Sequence, residues 1–197
     1  MRSPFLKRLF DFTGAFIALL LFGWIIIIFL AIAAADTRSS GLFLQKRVGL
    51  HGLLFTIFKL RTIRKNGDIS IVGEFLRKTK IDELPQLFNV LFGHMSLVGP
   101  RPDIQGYYDK LAGNDIALLS LKPGITGLAS LKYADEEKLL ALQTDPIAYN
   151  DEVLFPDKIK INLQYLRKQS LQLDIKIILL TFAGRNMRQK FLDSLQY

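Results

Sequence analysis

The stretch FTGAFIALLLFGWIIIIFLAIAAA, Phe12 to Ala35, holds no charged residue. At about 1.5 Å per residue, a helix of this length matches the hydrocarbon thickness of a bilayer. The 197-residue chain therefore reads as an apolar anchor plus one small domain. Outward from the run, Arg2, Lys7 and Arg8 precede it, Asp11 stands at its threshold, and Arg38, Lys46 and Arg47 follow. A secretory signal peptide would share the basic start and the small residues AIAAA at its end. The apolar core is longer than the usual signal core and Asp11 interrupts its approach, so a retained anchor is expected. Positive charge on both sides departs from the one-sided bias of a simple spanning helix. It fits a segment that enters one leaflet and returns, if something near the middle breaks the helix. Gly14 and Gly23 are the available breakers, and glycine alone is a weak one. On these residues the spanning and re-entrant geometries stay balanced.

The formal charge of +8 and the isoelectric point near 9.7 call for an anionic partner. Beside a membrane segment, acidic lipid and phosphorylated substrates are favoured over nucleic acid, for which no RNA or DNA motif appears. The absence of cysteine excludes disulfides, thiolate chemistry and Cys-ligated zinc, and two histidines, His51 and His94, make a multi-histidine metal site unsupported.

Beyond a polar linker, DTRSSG at 36–41, residues Leu42 to Thr62 read as two short strands around a turn at Gly49 to Gly52. Lys59 and Arg61, two apart on the second strand, would project from one face as an anion site, or equally as charges guarding a strand edge. IVGEFLRKTK (71–80) begins a short helix or turn. IDELPQLFNVLFG (81–93) predicts a helix with Leu84, Leu87, Phe88 and Leu91 on one face and Pro85 in its first turn. SLVGPRPDI stiffens the backbone around Arg101, LKPGITGLAS is a loop, and 135–144 and 157–168 are helical. Leu171 to Lys190 reads as a core or interfacial helix with a basic end.

Asp82 and Glu83 stand at the start of the 81–93 helix. As a cap, Asp82 would accept first-turn amides while Glu83 complements the helix dipole. Capping leaves the surrounding cations unexplained: Arg77, Lys78 and Lys80 upstream, Arg101 in a rigid loop. Adjacent carboxylates cannot flank a glycosidic bond from opposite sides. A carboxylate among arginines suits phosphoryl chemistry, as a nucleophile or a Mg²⁺ ligand, and no Walker A pattern supports a P-loop site instead.

At these residues the chain resembles the bacterial sugar transferases, the monotopic phosphoglycosyl transferases. The resemblance runs from about Lys7 to Thr181 through KRLFDF, FLQKRVGLHGLLFTIFKLRT, LRKTKIDELPQLFNVLFGHMSLVGPRP, KPGITGLA and YLRKQSLQLDIKIILLT. It implies a mostly helical α+β fold. Residues 1–35 would form a re-entrant membrane helix, and 36–197 a cytoplasmic catalytic domain with a β-hairpin and interfacial C-terminal helices. The implied reaction moves a sugar phosphate from a UDP-sugar to undecaprenyl phosphate, releasing UMP and starting a glycoconjugate on the bacterial inner membrane.

By the same resemblance Asp82 is the nucleophile that forms a phosphosugar-aspartyl intermediate, and Glu83 assists by positioning or proton management. Mg²⁺ is held by Asp82, Arg77 and Arg101 contact phosphate, and Lys59 and Arg61 are further phosphate contacts. A homodimer and downstream glycosyltransferases are expected partners, with no nucleic acid. A non-catalytic membrane scaffold of the same fold is the competing reading, opposed by the intact Asp82, Glu83, Arg77 and Arg101. The sequence departs from the family at Gly23-Trp24, where Ser-Pro is usual, and at Lys80 and His94. It also departs at Ser130, in a loop associated with the choice of sugar.

Overall fold

The computed structural model describes residues 3–195, so Arg2 of the basic flank lies outside the described residues. Helix α1 (Pro4–Thr37) is capped by Ser3, whose hydroxyl accepts the Leu6 amide at 3.3 Å. It ends at Arg38 in the left-handed region, φ 48°. Its 34 residues run unbroken through Gly23-Trp24, so the expected break is not observed. The reason is chemical: no residue after Pro4 lacks an amide hydrogen, and Gly23 by itself leaves the helical hydrogen-bond ladder whole. By length and composition α1 is the one helix among the described residues able to cross a membrane.

Both ends of α1 nevertheless rest on the rest of the chain. Near its start Ala15, Ala18 and Leu19 pack with Ile57, Leu87, Val90 and Met95. Near its end Phe29, Leu30 and Ala33 pack with Leu60 and Leu76. The opposite face leaves Phe5, Ile17, Leu20, Trp24 and Ile27 more than half exposed, an apolar surface for which lipid is the natural solvent.

Strands β1 (Leu42–Val48) and β2 (Leu54–Leu60) form the expected antiparallel hairpin, with Leu42 opposite Leu60 and Val48 opposite Leu54. Helices α2 (Ile71–Thr79) and α3 (Gln86–Leu91) follow, joined by a 3₁₀ turn at Ile81–Glu83. The 81–93 segment is thus a tight turn plus a short helix, with Pro85 as the residue that opens α3. Strands β3 (Ser96–Val98) and β4 (Gly124–Thr126) pair in parallel, within segments read as loops from sequence. Gly99 and Gly124 let these strands cross closely, because a Cβ on either would collide with the backbone of the other segment.

The C-terminal part comprises α4 (Leu128–Lys132), α5 (Glu136–Ala141), α6 (Pro146–Tyr149), α7 (Phe155–Lys168), α8 (Leu171–Thr181) and α9 (Arg185–Ser194). A π-helical turn at Asn150–Leu154 leads into α7. The single helix expected over 171–190 is two, divided at 182–184. Its apolar residues also divide, with Ile177 in the core and Leu179 and Phe182 exposed. The main core gathers Val98, Leu118, Leu128, Ile161, Tyr165 and Ile177 beneath β3 and β4.

Candidate active site

Asp82 and Glu83 lie in the 3₁₀ turn between α2 and α3, each only 7% exposed. Lys80 sets that turn by closing α2 in the left-handed conformation, φ 59°, which costs a non-glycine residue roughly 1 kcal/mol. The capping role expected for Asp82 does not form: the turn has no side-chain cap. Instead Oδ1 of Asp82 is buried with no hydrogen-bond partner among the described residues.

Glu83 is the opposite case. Its Oε1 accepts from Lys59 Nζ at 3.0 Å and from Arg101 Nη2 at 2.7 Å, with Arg101 Nη1 3.4 Å from Oε2. Three segments distant in sequence, the hairpin, the turn and the loop after β3, therefore meet at one carboxylate. The two acids separate electrostatically. Burial, reinforced by the neighbouring Glu83 charge, raises the Asp82 carboxyl to about 6 against the pull of Lys59, Lys80 and Arg101. Burial also works to raise Glu83, but the Arg101 and Lys59 charges and their hydrogen bonds outweigh it and hold that carboxyl at about 2. One group thus titrates near neutrality and the other stays ionised.

Of the other expected residues, Arg77 pairs with Glu137 of α5 at 2.7 Å. Arg61 does not join the site. Just past the end of β2 its amide still donates across the hairpin to Gly41 O at 2.7 Å, while the guanidinium donates to Ser40 O at 2.9 Å and lies over Phe43. Arg61 is thus on the side of Phe43 and Lys59, as alternation expects, but its guanidinium is spent on the linker backbone and not on Glu83. Ser130 belongs to α4 and not to a loop.

Two contributors were not legible as such in the sequence. Arg47 lines a small cleft with Lys59, Gln86 and Arg101. Its signal is strand alternation: the register placing Phe43 opposite Lys59 puts Arg47 on the same face of the hairpin. Asn89, wholly buried, accepts the Phe58 amide at 3.0 Å and donates to Thr56 O at 2.7 Å. It fixes β2 against α3, and so holds Lys59 within reach of Glu83.

No cluster of three acidic or histidine side chains suited to a metal occurs among the described residues. The unpaired Asp82 oxygen is nevertheless a fitting single ligand for Mg²⁺, which commonly takes one or two carboxylates together with substrate phosphates. Glu83 is already committed to its two cations.

Residues 2–187 match the family model described as bacterial sugar transferase. The chain is 36% identical to the galactosyl transferase CpsE of Streptococcus agalactiae, over 89% of this chain and 41% of that protein. It is 34% identical to the uncharacterized sugar transferase EpsL of Bacillus subtilis, over 89% and 85%. With the UDP-glucose:undecaprenyl-phosphate glucose-1-phosphate transferase of Klebsiella pneumoniae it shares 35% identity, over 90% and 40%. The chain thus spans about two fifths of the length of CpsE and of the Klebsiella protein, and most of EpsL. A family match over nearly the whole chain, with the paired carboxylates inside it, makes this protein a member of the bacterial sugar transferase family.

Proposed function

We propose that the protein is a phosphoglycosyl transferase that moves a sugar phosphate from a UDP-sugar to undecaprenyl phosphate on the cytoplasmic face of the membrane, with Asp82 as nucleophile. The observation that carries this reading is the buried, unpaired Asp82 oxygen beside a Glu83 clamped by Lys59 and Arg101. The names of relatives, such as that of the Klebsiella protein, supply the substrate classes.

In the first step an Asp82 oxygen bonds to the sugar-bearing phosphorus. The bond from that phosphorus to the bridging oxygen breaks, and UMP leaves with the electron pair. In the second, an oxygen of the lipid phosphate attacks the same phosphorus and the aspartyl oxygen leaves, restoring the carboxylate. Neither step consumes water or an oxidant. With its carboxyl near 6, Asp82 is ionised in roughly nine molecules of ten at pH 7. It also remains basic enough to bond to phosphorus.

Glu83, held near 2, carries no proton at working pH, so its part is positioning. It keeps Arg101 and Lys59 beside the place where phosphate charge gathers. Arg77 is a further phosphate contact once it leaves Glu137. Asp82 would hold Mg²⁺, which would supply neutralisation of phosphoryl charge.

The test is UMP release from a panel of UDP-sugars with undecaprenyl phosphate and Mg²⁺, comparing the protein with Asp82→Asn. The proposal expects turnover of at least one donor and its loss in the variant. Retention of most activity by Asp82→Asn overturns it.

A further inference from the structure

Away from the carboxylate pair, the densest group of buried charges sits where α1 crosses β3. Lys7 Nζ lies 3.0 Å from Asp11 Oδ1 and 2.8 Å from Asp174 Oδ2 of α8. Both carboxylates are almost completely buried, and the lysine is largely so. Asp11 Oδ1 also accepts the Ser96 hydroxyl at 3.0 Å and the Leu97 amide at 3.1 Å. Asp174 Oδ1 accepts the Tyr165 hydroxyl at 2.6 Å. Burial and the adjacent Asp174 charge push the Tyr165 phenol up, so it stays a donor.

These contacts converge on a three-residue strand. β3 pairs with β4 alone, and a two-stranded parallel sheet this short has little stability of its own. Val98 O accepts from Lys7 Nζ at 3.4 Å and from Tyr165 at 3.2 Å, while the Leu97 amide goes to Asp11. Charged side chains of α1 thus take the place of a third strand. Only Gly99 and Pro100 separate Val98 from Arg101, which reaches Glu83. The approach is close: a Cβ at Gly14 would press on Leu97.

A buried charged group of this kind is a poor way to gain stability, because its desolvation offsets much of its attraction. An apolar packing of helix on strand would serve that end better. What the cluster provides is a fixed register between the apolar helix and the strand that leads to Arg101. We infer that Lys7, Asp11 and Asp174 are positioning residues, which transmit the seating of α1 through β3 to the Arg101 guanidinium. For the chemistry it affects, this inference rests on the phosphoglycosyl transferase reading.

The experiment uses the full chain in lipid nanodiscs, with Asp11→Asn and, as the milder change, Ser96→Ala. Hydrogen–deuterium exchange is expected to accelerate in the peptide covering 96–103, with the hairpin and α7 unchanged. In UMP release, kcat is expected to fall on the order of tenfold with donor KM nearly constant, as for a misplaced charge-stabilising group. In an Arg101→Ala background the same substitutions are expected to cost little more, since the pathway they act through is already gone.

Unchanged exchange at 96–103 in both variants overturns the inference. So does a kcat loss as large in the Arg101→Ala background as in the unaltered protein. If exchange accelerates locally while the unaltered protein turns over no UDP-sugar, the positioning inference stands on exchange and the proposed reaction falls.

Discussion

Asp82 and Glu83 differ by one position in the chain and oppositely in their environment. If Asp82 attacks as a carboxylate, kcat/KM should rise with pH through about 6 and then level, because protonation of that one group removes the nucleophile. The stability effect has the reverse sign. The Asp82 carboxyl sits above its ordinary 3.8, so its contribution to the fold is greatest below 3.8 and is lost as pH rises through 6. Asp82→Asn should therefore be inactive yet more stable at pH 7, by on the order of 2 kcal/mol, in a thermal unfolding series run at pH 5 and pH 8. The gain should be smaller at pH 5. Glu83 behaves as an ordinary paired carboxylate: its contribution is full above about 4.5 and disappears as pH falls toward 2. Glu83→Gln should thus cost stability at pH 7 as well as activity, and the two neighbouring isosteric changes separate in one melting experiment. The acids themselves were readable from sequence, since basic residues surround them on both sides. Their roles came only with the resemblance, and the electrostatic split between them was not legible. It depends on which oxygen Lys59 and Arg101 reach, a relation between segments far apart in the chain.

At the scale of elements, strand alternation and turn-forming glycines made the β1–β2 hairpin legible. The β3–β4 pair was hidden, because three-residue strands punctuated by proline and glycine carry no period to count. Asn89 was hidden for another reason. A buried amide that bonds another segment's backbone looks, in sequence, like any polar residue on a helix. Asn89→Leu should leave the Phe58 amide and the Thr56 carbonyl unpaired, at about 1–3 kcal/mol each, and loosen Lys59 from Glu83. The expected outcome is a lower melting temperature together with a kcat loss. Asn89→Ala, which has room for water, should do less harm on both measures. Arg61, by contrast, shows how far an alternation argument reaches: it assigns the face, which Arg61 shares with Phe43 and Lys59, but not the partner, which is the Ser40 carbonyl.

For the whole molecule, the sequence separates an anchor from a domain, while the structure gives α1 a share in two of the three hydrophobic clusters. If both ends of α1 stay on the domain when it meets a bilayer, they are expected on one side of it. Single cysteines introduced by Ser3→Cys and Ser39→Cys should both be labelled from the cytoplasmic side by a membrane-impermeant maleimide. Opposite-side labelling would show α1 crossing as a rod detached from the domain. The unbroken course of α1 departs from the break that the resemblance implied, at the Gly23-Trp24 pair where the sequence itself departs from the family.

One consequence of that seating concerns height. Ile81, the residue before Asp82, packs into the cluster that holds the C-terminal third of α1, so the position of Asp82 is tied to the helix that bears the lipid-facing surface. On the proposed reaction, a helix fastened at both ends would act as a depth gauge, setting how far a lipid phosphate must emerge from the bilayer to be reached. Among acceptors, such a gauge would select by the reach of the headgroup and ignore the length of the chain buried below.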